Sequence, residues 1–488
     1  MDLKIKEKLV EILGEGYVSD SDEQLEAFSG DNSLTRPRKP NYLARPENTE
    51  QVQKVIMLAG ENRIPVIPCS SGVHFNGCTV PKQGGIILDL RRMNKILKVD
   101  DLNRRVWIEP GVTWQQLQIE LKKQDMMVIS PLLPHPQKSV VTTFLERDVP
   151  LITRYEYGDP LQAMQVVWPN GDIFRTGTAA PEGFPNTFSE GTNPQSLGNI
   201  DFNRLIQGSQ GTMGVVTWAF IKTEYRPRVN KTYFVPLNRI EDAIEPLYRI
   251  LRQRIGHECF ILNNLNMAII LSKKWPGDFE RLRKILPPWT MVFILSGLRR
   301  RPEEKVAYEE EALWEIRNTA FPDMELLSTL PGALGLENDL PDMLRSPWTD
   351  ETTYWKSRYR GASQDLLLIS KLSKVPEFTA TVNEMAIKHG CNSSDIGSYI
   401  QPLEYGAGCH CEFNFYYNPG DSSDMDRVTK LYTETAETLL DRGALYTRPY
   451  GILADLVYSR ASEYTAALKK VKDIFDPDNI MCPGNLCF

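Results

Sequence analysis

No stretch of the 488 residues approaches the roughly 18 uninterrupted apolar residues of a membrane-spanning helix, so no transmembrane segment is expected. The opening residues, 1–14, alternate charged and apolar positions. They lack the apolar core of about 7–15 residues that a secretory signal needs, and a cytoplasmic location is the expectation. Lysine and arginine are dispersed and the formal net charge is −7. With no basic stripe to neutralise phosphates, nucleic acid is not an expected partner. The eight cysteines contain no Cys-x-x-Cys pair, which argues against a disulfide framework and for reduced thiols. No repeat of 20–50 residues and no low-complexity tract is visible. Neither Gly-x-Gly-x-x-Gly nor Gly-x-x-x-x-Gly-Lys-Ser/Thr occurs, which speaks against a Rossmann or P-loop nucleotide site.

What is present is an ordinary globular composition, 41% hydrophobic and 24% charged, in a chain long for one domain. Such a length can bury a large core and an enclosed cofactor. Ile5, Leu9 and Ile12 fall on one face of a first helix. Thr49–Asn62 reads as a second, with Thr49 as N-cap and Glu50 favouring the positive helix start. Ile64–Pro68, Gly85–Leu90 and Arg105–Ile108 read as strands, and Thr113–Gln124 as a helix. Pro169-Asn170-Gly171 between Met164–Trp168 and Asp172–Thr176 is a hairpin signature. From about residue 226 helical patterns (Ile240–Arg254, Glu303–Arg317) alternate with short strands such as Thr290–Ser296. A last helix, Arg460–Ile474, runs into Asp476-Pro477.

The segment Pro68-Cys69-Ser70-Ser71-Gly72-Val73-His74-Phe75-Asn76-Gly77 ends a strand on small residues whose backbone N–H groups can converge on an anion. Alone it reads equally well as an ordinary strand-to-loop turn. Three further segments accompany it: Trp107-Ile108-Glu109-Pro110-Gly111-Val112-Thr113, Gly208-Ser209-Gln210-Gly211-Thr212-Met213-Gly214-Val215-Val216-Thr217, and Phe475-Asp476-Pro477-Asp478-Asn479-Ile480-Met481-Cys482-Pro483-Gly484.

In this order and spacing the four segments closely resemble the FAD-binding family of vanillyl-alcohol oxidase and p-cresol methylhydroxylase, which also includes D-lactate and glycolate dehydrogenases. The resemblance is strong over residues 15–222 and the C-terminal 45, and patchy between. It implies an α+β fold: a two-subdomain FAD-binding domain (1–225), a cap or substrate domain of antiparallel sheet and helices (226–443), and a C-terminal segment (444–488) returning to the first. It also implies FAD, with Cys69, Ser70, Ser71, Gly72, Val73, His74, Phe75 and Gly77 around the pyrophosphate. Pro110, Gly111, Ser139, Thr142, Thr143, Gly158, Gly208, Ser209, Gly211, Thr212, Gly214 and Val216 would line the rest. Relatives that attach flavin in the first loop use the His of Gly-Gly-His. Here that position reads Ser71-Gly72-Val73 with His74 displaced by one, so non-covalent FAD is expected.

Ser139-Val140 with Glu146-Arg147, followed by Tyr157-Gly158-Asp159, resembles the vanillyl-alcohol oxidase branch. The branch's phenol-binding Tyr in the first loop aligns with Phe75, its acidic residue near flavin N5 with Pro134-His135, and a second phenol-contacting Tyr with Arg154 or Tyr155. His135 is a candidate base, because imidazole titrates near neutral pH, or simply a loop histidine between prolines. Arg154 could meet a phenolate or a carboxylate. On a strand, His410, Glu412 and Asn414 share one face, as a cavity wall or a solvent-facing stripe, and Cys409, Cys411 and Phe413 share the other. The His-x-Gly-Asp-Gly-Asn metal motif of the hydroxy-acid enzymes is missing, so no metal is expected. Tyr446-Thr447-Arg448 resembles a Tyr-Arg pair of the branch, with Arg448 the candidate for stabilising the reduced flavin anion.

The function so implied is an FAD-linked dehydrogenase taking hydride from an activated C–H of an aromatic alcohol or alkylphenol-like substrate. The alternatives are a D-2-hydroxy acid dehydrogenase and a non-catalytic electron-transfer subunit of a larger complex. A small-molecule substrate, an electron-acceptor protein or complex subunit, and a homo-oligomer are the partners expected.

Overall fold

The computed structural model describes residues 3–181, 183, 200–335, 337–349 and 353–488. Three sheets organise them. In the first, Tyr42–Ala44, Ile86–Asp89 and Val66–Cys69 run parallel, with Val18–Ser19 antiparallel at one edge. Parallel strands covered on both sides are apolar throughout, and Ile86, Ile87 and Leu88 are almost wholly buried. Helices Leu3–Leu13 and Thr49–Glu61 pack on this sheet through Leu9, Val52, Val55 and Ile56.

The N-cap of the second helix is Asn48 and not Thr49. Asn48 is extended at φ −154° and its side chain accepts the Gln51 N–H at 2.9 Å. Thr49 is already helical and turns its hydroxyl to Gln165, 3.1 Å away.

The second sheet is built on the long strand Val215–Tyr225, which pairs with Arg105–Ile108, Leu161–Val167 and Met126–Val128. The expected hairpin is there: Val167 faces Ile173 and Gly171 turns at φ +89°. Thr113 caps the helix Trp114–Lys122.

The third sheet is antiparallel, in the order Val229–Leu237, Trp289–Gly297, Glu258–Asn263, Ile396–Leu403, Gly408–Tyr417, Ala362–Ser370. Its two faces have different partners. Cys409, Cys411, Phe413 and Phe415 point into a core shared with helices Ile244–Arg252, Pro302–Ala320, Val375–Lys388 and Ser422–Asp441. Tyr399 and Tyr416 point the other way, toward Leu132, Leu133 and Leu151 of the first half of the chain.

One helical expectation needs adjustment. Residues 240–254 form a 3-10 turn, Ile240–Ala243, before Ile244–Arg252; Pro246, lacking an N–H, then falls in the first helical turn where none is needed. The expected last helix is present as Ser462–Phe475, and a further helix that was not expected, Ile452–Ser459, precedes it.

The C-terminal tail returns to the first sheet. Val66 donates to Ile480 O at 2.7 Å and Cys482 donates to Val66 O at 3.0 Å. The buried Lys472 ammonium fixes this return, reaching Asp476 (2.5 Å), Thr212 O (2.6 Å) and Met481 O (3.2 Å).

Candidate functional site

The strand Val66–Cys69 delivers the chain into the loop that opens at Ser70, between the first two sheets. A slot of about 750 Å³ runs past it, lined by Ser70, His74, Pro110, Thr142, Gly208, Ser209, Gly211, Gly214 and Val216 among the residues expected from sequence. The lining is mostly apolar, with hydroxyls at intervals; Ser70 and Thr142 hydrogen-bond to each other across it. Among the described residues the N–H groups of Ser71, Gly72, His74 and Phe75 meet no protein acceptor. Adjacent unspent donors beside a long apolar slot suit a dinucleotide with a charged pyrophosphate centre, and so fit FAD.

Other expected cofactor residues act one step away. Cys69, Ser71 and Gly72 face a neighbouring cleft with Arg45 and Arg91, and Val73 turns its carbonyl to the Ser71 hydroxyl (3.1 Å). Ser139 caps the helix Val140–Leu145 and donates to Pro110 O at 2.6 Å, steadying a residue that lines the slot. Thr143 is spent inside the protein, donating to Ser139 O and accepting from Trp114 Nε1. Thr212 donates to Ser209 O and closes the glycine-rich turn.

Gly77, Gly111 and Gly158 do not belong to the slot. A Cβ on Gly77 would meet the Thr35 hydroxyl at 2.1 Å, one on Gly111 the Met93 carbonyl at 2.7 Å, and one on Gly158 Glu156 Oε1 at 2.9 Å. Gly208, Gly211 and Gly214 do line the slot, and their small size is also required on the side away from it. Their Cβ atoms would strike Arg147 Cζ (2.7 Å), Cys482 Sγ (2.9 Å) and Val167 O (2.8 Å), so protein packing demands these glycines.

A second cavity, of about 710 Å³, lies between Phe75, the segment Pro131–Lys138 and the open face of the third sheet. His135, His410, Glu412 and Arg448 all line it. One wall is aromatic: Phe75, His135 and Tyr354 have ring centroids 6.1, 5.5 and 5.0 Å apart in their three pairs. The rest is a lattice of charge. Lys138 binds Glu146 (2.6 Å) and Asp148 (2.9 Å), and Arg448 binds the other oxygen of Asp148 (2.5 Å). Lys356 binds Asp365 (2.5 Å) and Glu412 (2.6 Å), and Asn414 bridges the same two carboxylates at 2.7 Å each. His410 Nε2 stands 3.6 Å from Glu412. Glu146 also lines the slot, so the Lys138–Glu146 pair separates the two spaces.

Burial sets the protonation states. It pushes the Glu412 carboxyl up, but the ammonium of Lys356 outweighs it and holds the group well below the carboxylate range. Burial works equally against the ammonium of Lys356, which Asp365 and Glu412 keep charged. Both cavity histidines are neutral: burial pushes His410 down, and burial with Lys138 pushes His135 down to about 4.

Two expected catalytic residues are elsewhere. Arg154 binds Glu224 (2.5 Å) and the Tyr155 hydroxyl (2.7 Å), because that buried carboxylate on the central strand of the second sheet needs a counter-charge. Tyr446 is buried in the helical core of the third sheet and donates to Ala436 O at 2.8 Å, while Arg448, two residues on, reaches the cavity. Lys138, Asp148, Tyr354, Trp355, Lys356, Asp365 and Tyr399 line the cavity and were missed. Asp365 alone carried a signal, a carboxylate leading the apolar run Leu366-Leu367-Leu368-Ile369. The register sets it opposite Asn414, with Leu367 opposite Glu412. Cys409 and Cys411 lie on the far face from His410, so the Cys-His-Cys run does not converge.

Residues 40–177 match the FAD binding domain family, and residues 370–486 the C-terminal domain of FAD linked oxidases. The chain is 23% identical to a glycolate oxidase subunit of Bacillus subtilis, covering 99% of this chain and 96% of the relative. It is 28% identical to the 4-cresol dehydrogenase (hydroxylating) flavoprotein subunit of Pseudomonas putida over 58% of this chain and 53% of that one. The crystal structure of p-cresol methylhydroxylase with substrate bound superposes with a TM-score of 0.84 at 18% identity, covering 99% of this chain and 96% of the other, and so shares the fold. The chain belongs to the FAD-linked oxidoreductases of the vanillyl-alcohol oxidase and p-cresol methylhydroxylase superfamily, and its cofactor is FAD.

Proposed function

We propose that the chain is a dehydrogenase removing hydride from an activated C–H bond of a small aromatic alcohol or alkylphenol-like compound. When bound, FAD supplies the electron sink that accepts the hydride. The chain's own residues bind the substrate, orient it and take its proton.

The observation that carries this reading is an aromatic wall facing uncommitted cationic donors. Phe75, His135 and Tyr354 offer a surface on which a ring can pack. Opposite them Arg448, 6% exposed, gives one hydrogen bond to Asp148, and among the described residues its other N–H groups have no acceptor. Lys138 and Lys356 each hold two carboxylates and keep a third N–H. A phenolic oxygen directed at these groups is stabilised as its negative charge develops.

His410 serves as the base. It is neutral, lines the cavity, and has Glu412 beside it to stabilise the imidazolium that forms. His135, pushed down to about 4, holds a proton too weakly for the task and contributes packing. FAD is read as non-covalently held, since the His74 ring is turned into its own loop and donates from Nε2 to Ser71 O at 2.8 Å.

The open Arg448 fork also favours a second reading, a D-2-hydroxy acid dehydrogenase in which it grips the substrate carboxylate in bidentate fashion. The full-length similarity to a glycolate oxidase subunit points the same way. Anaerobic stopped-flow mixing of the oxidised holoprotein with 4-alkylphenols and benzylic alcohols, against D-lactate and glycolate, separates the two. Bleaching by the aromatic set supports the first reading, and bleaching by hydroxy acids alone moves the assignment to the second. Bleaching by neither refutes both.

A further inference from the structure

We propose that Lys356 is the positioning residue of the proton-transfer site: wedged between Asp365 and Glu412, it keeps His410 neutral and its open ring nitrogen ready to receive the substrate proton. This rests on His410 being the base.

The geometry is specific. Lys356, in the short helix Trp355–Arg358, inserts its ammonium between two carboxylates on neighbouring strands, 2.5 Å from Asp365 and 2.6 Å from Glu412. Asn414 donates to both from the far side, so each carboxylate is held at a fixed position. Glu412 then presents its other oxygen to His410 Nε2 at 3.6 Å, and among the described residues Nδ1 has no protein partner. With FAD bound as the electron sink, the substrate carbon would give up hydride while His410 takes the proton of the breaking O–H bond. The proton passes to Nδ1, and the released electron pair on oxygen completes the new C=O bond.

The groups around His410 are Glu412 on its own strand, Tyr399 on a neighbouring strand (ring centroids 5.5 Å), Lys356 on the helix and Arg448 across the cavity, with Asp365 and Asp148 lining the same cavity as partners of the two cations. Burial is the largest influence opposing a charge on the ring, Glu412 favours one, and Arg448 and then Lys356 add to the opposition. Removing Lys356 leaves Glu412 and Asp365 without their cation, and the nearest group able to replace it is His410 itself, as imidazolium. A charged His410 accepts no proton.

The test needs no substrate. In holoprotein carrying labelled histidine, the five imidazoles are followed by NMR across pH, with His410→Gln assigning the signal. Lys356→Met is expected to raise the His410 titration by about one pH unit or more, while Lys356→Arg leaves it at the wild-type position. If Lys356→Met yields no folded holoprotein, Lys356→Met/Asp365→Asn removes opposite charges together and is expected to shift His410 upward by less. An unchanged His410 titration in the variant that folds overturns the proposal. Flavin bleaching by the substrate panel is a separate measurement, so failure of the catalytic reading is told apart from failure of this one.

Discussion

Adding one methyl group at Gly211 should loosen both the C-terminal tail and the cofactor. Gly211 has φ +77°, a region that costs an L-residue about 1–2 kcal/mol. Its new Cβ would also lie 2.9 Å from Cys482 Sγ and 3.1 Å from Pro68 Cγ. Neither neighbour can retreat freely, because Cys482 is hydrogen-bonded to Val66 and Pro68 lies within the strand Val66–Cys69. Overpacking of this kind costs about 1–3 kcal/mol, so Gly211→Ala should destabilise by roughly 2–5 kcal/mol. If about 2 kcal/mol of that falls on the cofactor-bound form alone, FAD binding weakens about thirtyfold. Flavin fluorescence on dilution reads the binding, and thermal flavin release reads the stability. Cys482→Ala in the same chain removes the closer contact and should recover about 1 kcal/mol of the loss. Wild-type FAD affinity in Gly211→Ala, with nothing recovered by Cys482→Ala, would refute the packing of the tail against the slot.

Two other perturbations have defined outcomes. The His257 side chain is 8% exposed and is pushed down to about 4 by burial, so the unfolded chain takes up its proton first as pH falls from about 6.5. Stability is therefore lost between about pH 6.5 and 4, on the order of 3 kcal/mol from this residue, and urea midpoints of His257→Gln should depend less on pH in that window. Lys472→Met strands the buried Asp476 carboxylate and should cost about 3–5 kcal/mol with loss of FAD retention; an unchanged urea midpoint would count against the tail anchor.

Much of the cofactor half was legible because its signals are local. Strand ends, glycine turns and helix caps are written in consecutive residues, and the slot is assembled from such pieces at Ser70, Thr142 and Gly208–Val216. The alternation His410-Cys411-Glu412 was legible for the same reason, since strand geometry alone assigns the faces. The charge lattice was not. Lys356 meets a partner 9 residues away and another 56 away, and Arg448 meets Asp148 across 300. No periodicity encodes such pairs. Arg154 misled for the complementary reason: an arginine near a motif looks like a ligand for substrate until the buried Glu224, 70 residues on, is seen to hold it.

The most direct measurement is the rate of anaerobic flavin reduction in His410→Gln against wild type, using whichever substrate bleaches the wild-type flavin. Removal of the base should slow reduction by about 10²–10⁴-fold while FAD content and the oxidised flavin spectrum stay unchanged. Reduction at the wild-type rate would contradict the assignment of this cavity as the place where the substrate loses its proton.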